Sequence, residues 1–370
     1  MKKQIAILAV LATPLASAME MKMPTVYGKV NKVIAYTDQD NTASVVRKSM
    51  DGVTDVENSE TRIGVKGEVP TMSDAMKASY KIELGIGSTN SDQNDDEGKY
   101  GRIRIRLAEV ALKSSFGSVT LGQTYNPFSK IQLAADPLSE TVAGMAGIDQ
   151  TSRIRLGSKV GMGYRGRVDG LTYATPSFMG LSYTVSTDRE NKNSNLVGDA
   201  EYGATHYEHV LGFKRDLGGI DLNLYAGLHK WDMTGKKDLS EMMYGLGVKK
   251  GALSFNFTMT AEEQETVGKT DKETTDRMFG ALSYTMDKHT VSFTYQTSEF
   301  RNKAGVKKAS DADKTQMAIG YKHQCSENID LNLTALTYEV KDKTGETNAT
   351  TKKGLENKAT MVAAGIQLKF

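Results

Sequence analysis

The chain has a single cysteine, Cys325, so no disulfide can close within it. It also lacks long apolar runs: beyond residue 18 no stretch of eighteen apolar residues occurs, which excludes a membrane-spanning helix. Charge of one sign is missing too. Lys and Arg total 47 against 45 Asp and Glu, a net of +2, which rules out a blanket attraction to nucleic acid. No G-x-S-x-G, HExxH or Gly-rich phosphate loop appears, and no repeat near 40–50 residues supports a propeller.

What is present begins with "MKKQIAILAVLATPLASAME": two lysines, an apolar run from Ile5 to Leu11, then small residues at Ala16-Ser17-Ala18. This reads as a secretory signal over 1–18, cleaved after Ala18, leaving 19–370 as one domain. Its removal takes the charge balance to zero. An exported chain of this size without a disulfide must be stable by other means.

The dominant pattern is a period of two. "ALSFNFTMT" (252–260) sets Leu253, Phe255, Phe257 and Met259 against Ser254, Asn256, Thr258 and Thr260. "GIDLNLYAGLHKW" (219–231) and "HTVSFTYQ" (289–296) alternate in the same way. Such dyads predict strands with one apolar and one polar face. Tight connections fall at 114–117, 176–180, 216–219, 249–251, 286–289 and 325–328. Longer polar segments lie between them, at 37–59, 87–99, 124–150, 188–204, 232–239, 262–274, 301–313 and 342–356. One short turn of helix is expected around 133–145.

Strands of about ten residues, joined by short turns on one side and long loops on the other, predict an all-β transmembrane antiparallel barrel of about 16 strands. The mean hydropathy of −0.43 would by itself indicate a soluble secreted protein, but polar lumen residues dilute the lipid face of a barrel. "RIRIRL" (102–107) then becomes legible. Arg102, Arg104 and Arg106 point into an aqueous lumen, and Ile103, Ile105 and Leu107 toward lipid or a neighbouring subunit. Trp231, Tyr36 and Phe300, near strand ends, would mark the interfaces. Glu109 falls on the lipid phase of its strand; burial in a subunit interface or a bulge would account for it.

With "TVYGKVN" (25–31), "TRIGVKGE" (61–68), "FGSVTLGQTYNP" (116–127), "YATPSFMGLSY" (173–183) and the terminal "IQLKF", the chain resembles the general bacterial porins. These are trimeric diffusion channels of Gram-negative outer membranes, and the match runs from about residue 24 to 370. The resemblance implies a homotrimer and a passive water-filled channel for small hydrophilic solutes and ions, without a cofactor or nucleic-acid partner. It also implies a third loop, about 124–150, folded inward to narrow the pore, with a transverse field there of basic wall residues held apart from loop carboxylates. Carried over, Lys29, Arg62 and Arg106 fall at wall positions; Lys66 extends the face of Arg62, and Arg102 and Arg104 extend the row of Arg106. Asp136 and Glu140 of "DPLSE" take the acidic positions, with Asp149 a third candidate carboxylate. Arg165, Arg167 or neither faces the lumen, because one residue of slip exchanges faces. Phe370 would present the last strand to the barrel assembly machinery.

Outer-membrane proteases and phospholipases also use barrels, but need a matched carboxylate/His or Ser/His set at one height. His206 and His209 fall on opposite faces of one strand, and His229, His289 and His323 lie near strand ends or short turns, so no such set emerges. An adhesin or receptor acting through the loops is compatible with a pore. "DQNDDEGK" (92–99) has oxygen ligands without EF-hand spacing and reads as an exposed acidic loop near the divalent cations held by lipopolysaccharide.

Overall fold

A computed structural model describes residues 23–41, 47–55, 61–71, 75–86, 103–144, 166–190, 204–233, 239–265, 272–302, 312–342 and 356–370. The first strands are β1 (Thr25–Asn41), β2 (Arg47–Asp55), β3 (Arg62–Val69), β4 (Met76–Ile86), β5 (Ile103–Ser114) and β6 (Gly117–Tyr125). A helix, α1 (Pro127–Ala135), follows. Then come β7 (Arg167–Ala174), β8 (Leu181–Glu190), β9 (Ala204–Asp216), β10 (Ile220–Met233), β11 (Leu239–Lys250) and β12 (Leu253–Glu265). The last are β13 (Lys272–Met286), β14 (His289–Asn302), β15 (Ala312–Ser326), β16 (Ile329–Asp342) and β17 (Glu356–Lys369).

From β3 onward each strand pairs antiparallel with its sequence neighbours, and β17 pairs with β1 from Lys29↔Lys369 to Asn41↔Asn357. The sheet is therefore closed. β2 and β3 share one edge of β1: β2 takes its upper half and β3 its lower. Seventeen strands thus fill sixteen positions around a barrel. β2 also corrects the reading of 37–59 as loop, since most of that segment continues the wall.

The six short connections fall where the breakers placed them. At 176–180, Met179 and Gly180 both have positive φ, 51° and 91°. The closing seam has its own device. Phe370 and Gly28 exchange backbone hydrogen bonds at 2.9 and 3.1 Å. A Cβ on Gly28 would lie 2.4 Å from the Phe370 ring, so only glycine lets that ring lie on β1.

Polarity is inverted relative to a water-soluble sheet. On β14, Val291, Phe293 and Tyr295 are 39–46 % exposed, whereas Ser292, Thr294 and Gln296 are 1–3 % exposed. The same holds on β15–β17, where Met317, Ile319, Leu333 and Val362 face out. A closed sheet leaves no edge with unpaired backbone groups, which is what hydrocarbon demands of a spanning structure. Its apolar exterior is then the lipid-facing one.

The alternation of "RIRIRL" is broken within the motif. Glu83 of β4 pairs with Leu107 and Leu84 with Ile105, so Arg106 is an extra residue, a β-bulge. Ile103 and Ile105 face outward, but Leu107 turns inward and is 2 % exposed, contrary to the lipid-facing position the motif implies. The same shift carries Glu109 from the lipid phase to the interior. The bulge, rather than a subunit interface, resolves that carboxylate.

Candidate pore-lining site

Three inward rungs cross β1, β3, β4 and β5. The first joins Lys29, Arg62, Gly85 and Arg104; the next, Tyr27, Gly64, Glu83 and Leu107; the third, Thr25, Lys66, Lys81 and Glu109. Arg106 bulges between the first two. The register thus brings Lys29, Arg62, Arg104 and Arg106 together on one wall, with Lys66 beyond Tyr27. The Lys66 and Lys81 ammonium groups each lie 5.5 Å from the Tyr27 ring centroid.

Glu83, which the sequence reading did not single out, ties this wall together. Its Oε1 accepts from Arg106 Nε at 2.8 Å and Arg62 Nη1 at 3.2 Å, and its Oε2 accepts from the Tyr27 hydroxyl at 3.0 Å. Arg106 Nη2 also donates to the Tyr125 hydroxyl at 2.7 Å. The signal was available in "KIEL" (81–84), where Glu83 shares the phase of Lys81 against Ile82 and Leu84. A buried carboxylate between two guanidiniums costs less than a lone one because its lone pairs are satisfied.

After β6 the chain turns onto the inner wall. Asn126 caps α1, its Oδ1 accepting from Ser129 N at 2.7 Å, and Pro127 opens the helix. Helix and following turn contact inward-phase residues on several sides. Glu208 of β9 accepts the Phe128 N–H at 3.1 Å, placing a carboxylate at the positive end of the helix. Phe128 fills the space over Gly227, and Leu138 the space over Gly320. Leu138, Val142 and Ala143 join Val33, Leu336, Tyr338 and Met361 in one apolar cluster, and Gln316 Nε2 donates to the Ala143 carbonyl at 2.8 Å.

The carboxylate of this segment that meets the basic wall is Glu140. Its Oε1 lies 2.6 Å from Lys29 Nζ and 3.8 Å from Arg62 Nη2, and its carbonyl accepts from Asn31 Nδ2 at 2.9 Å. Burial alone would raise the Glu140 carboxyl, but the charge and hydrogen bond of Lys29, with Gln367 and Arg62, hold it down to about 2. The expectation of charges held apart is therefore corrected here: Glu140 and Lys29 are in contact.

Asp136 has a different place. It is 3 % exposed and its Oδ1 accepts the Leu138 N–H at 2.9 Å, so it shapes the turn after α1. Arg167 opens β7 on the phase of exposed Leu171, its guanidinium 5.9 Å from the Tyr125 ring centroid. Arg102, Asp149, Arg165 and the 92–99 segment lie outside the described residues, as do residues 1–18.

Opposite these contacts, His206 and His229 stack with Nδ1 and Nε2 3.3 Å apart, beside Glu241, whose Oε2 is 3.7 Å from His229 Nδ1. Trp231 stacks on His206 at 4.6 Å between ring centroids. Trp231 is therefore an interior residue and not the interface aromatic expected of it. Tyr36 does face out. His209 faces the exterior with Tyr183, so the two nearby histidines part across the wall as alternation required.

Three comparisons place this geometry among known proteins. A family model described as Gram-negative porin matches residues 5–343. An outer membrane porin protein of Bordetella pertussis is 25 % identical over 306 residues, covering 77 % of this chain and 72 % of that one. The anion-selective porin from Comamonas acidovorans superposes with a TM-score of 0.65 at 20 % identity, over 94 % of this chain and 99 % of that one. An outer membrane protein of Vibrio cholerae in a trimer form gives 0.62 at 12 % identity, over 95 % and 100 %.

Proposed function

The chain belongs to the Gram-negative porin family, and from that premise we propose how its interior works as the passive, water-filled channel of an outer-membrane porin. The observation that carries the reading is a closed barrel with an apolar exterior and a polar interior, crossed by a segment fastened to different parts of the wall. Glu140 fastens it to Lys29 on β1, and the α1 N-terminus is fastened to Glu208 on β9. The segment around 127–144 is the constriction. It sieves solutes by size, and the basic row of Lys29, Arg62, Lys66, Arg104 and Arg106 biases them by charge.

Asp136 serves the constriction by holding its turn, and Glu140 by neutralising part of the wall. The field across the passage is then that of the wall's surplus positive charge, with Glu83 and Glu140 subtracting from it. The protein works without catalysis as a homotrimer, a reading supported by the trimer form of a protein with this fold. Residues 1–18 direct export, lipid and lipopolysaccharide surround the exterior, and the assembly machinery reads the strand that ends at Phe370.

Liposome swelling tests this directly. Vesicles containing the folded protein should swell with small sugars at rates that fall steeply with sugar size. No swelling with the smallest sugar would overturn the channel. Hydrolysis of a peptide or phospholipid by the purified protein would favour a barrel enzyme instead.

A further inference from the structure

Away from the basic wall, β9–β12 carry polar side chains that the sieve described above does not use. Their register stacks three inward rungs. The upper joins Gly212, Tyr225, Gly245 and Thr258; the middle, Lys214, Asn223, Gly247 and Asn256; the lower, Asp216, Asp221, Lys249 and Ser254. Gly245 and Gly247 sit on the same strand, so two neighbouring rungs lack a side chain at adjoining places. A recess of about 310 Å³ opens there, walled by Lys214, Asp221, Asn223, Lys249 and Asn256, with Ala134 of α1 above it. An adjoining space of about 220 Å³ continues past Tyr225 to Ile131.

Unlike Glu83 or Glu140, these groups are not consumed by the protein. Among the described residues, Lys214, Asp221, Asn223, Lys249, Ser254 and Asn256 make no side-chain hydrogen bond or ion pair. The recess presents two ammonium groups, one carboxylate and two amides, a surplus of one positive charge. Its volume stands at the lower end of the roughly 300–1,000 Å³ that hold small organic ligands.

The geometry points to a solute-binding station for a small carboxylate-bearing solute with a neighbouring hydroxyl or ammonium, of hydroxy-acid or amino-acid kind. The carboxylate sits between Lys214 and Lys249. The second polar group meets Asn223, Asn256 and Asp221, and the short carbon chain lies under Ala134 toward Tyr225. Asp221 and Lys249 lie beside the short turns at 217–219 and 251–252, so the station is on the short-turn side of α1. As a station on a transport route, it rests on the channel reading, and weak occupancy is what passage requires: favourable enough to enter, loose enough to leave.

Saturation-transfer NMR on the detergent-solubilised protein reads such binding whether or not the protein conducts. Lactate and glycine are the probes and glycerol the control. Lactate or glycine should receive saturation and glycerol should not; the stronger of the two names the solute kind. In Lys214→Gln the Kd of that probe should rise about tenfold, the loss of one charge-assisted hydrogen bond. Gly247→Ala should do the same without changing charge, because its Cβ fills the recess 2.9 Å from Asn256 Oδ1, the end of a side chain that can swing away. Lys322→Gln, inward but outside the recess, should leave binding unchanged. Equal transfer to glycerol, no transfer to either probe, or undiminished binding in both recess variants would overturn the station. The channel itself would still stand or fall on its conductance.

Discussion

Glu140 lies half in water, yet its carboxyl is held at about 2 by Lys29, Gln367 and Arg62 against a burial that raises it. An unfolded Glu titrates at about 4.3. A carboxyl depressed in the folded state contributes stability that is fully present above the unfolded value and is lost as pH falls through the folded one. The anchor of the turn to β1 should therefore be complete above about pH 4.3 and gone near pH 2. The difference in urea midpoint between the natural protein and Glu140→Gln, followed from pH 6 to pH 2, should persist at pH 4 and vanish near pH 2. Loss of the difference already at pH 4.5 would give Glu140 an ordinary carboxyl. The same wall makes a second expectation. Arg62→Ser removes positive potential, so the reversal potential in a KCl gradient should move toward cation preference; Glu140→Gln exposes Lys29 and should move it toward anions. Both shifts should shrink as salt rises from 0.1 M to 1 M, where the Debye length falls from ~10 Å to ~3 Å. Shifts of the same sign would mean that these charges do not act on one passage.

At the scale of elements, what could be read from sequence and what could not divide along a physical line. Alternation within one strand assigns faces, so the dyads of β10, β12 and β14 were legible, whereas Lys29, Arg62 and Arg106 were placed on the wall through the resemblance to the porins. Which side chains meet across strands depends on register. For that reason Glu83 between two guanidiniums, and Glu208 at the start of α1, could not be paired from the chain alone. The Arg106 bulge adds one residue that no single-strand pattern reveals, and it reassigns both Leu107 and Glu109. α1 is a different case. "YNPF" (125–128) carries an N-cap asparagine and a proline at the first helical position, a readable start signal that the expectation of helix at 133–145 passed over. The following turn offers a direct test, because Leu138 fills the socket over Gly320 and is 4 % exposed. Leu→Ala in a packed core costs about 2–5 kcal/mol, and here that cost falls on one segment rather than on the hydrogen-bonded wall. Leu138→Ala should become cleavable by protease near 138–144 while the barrel stays intact by heat-modified gel mobility. Resistance equal to that of the natural protein would show that the socket does not hold the segment.

For the whole molecule, inverted polarity is the property that sequence expresses most openly, because it is repeated on nearly every strand. Closure is less open, since it joins the two ends of the chain. Phe370 completes it through its backbone bonds with Gly28 and its ring over that glycine. Truncating Phe370 should lower the amount of protein that reaches the outer membrane far more than the conductance of what assembles; normal levels would separate the terminal residue from assembly. The central claim is that the closed, polar-lined barrel holds a continuous water path past α1 and Glu140. Planar-bilayer recording of the purified, folded protein in KCl measures it most directly. Stepwise current increments of uniform size, proportional to voltage and rising with salt concentration, are the expected result. Silent insertion of protein whose β-type circular dichroism and heat-modifiable mobility prove it folded would contradict the account.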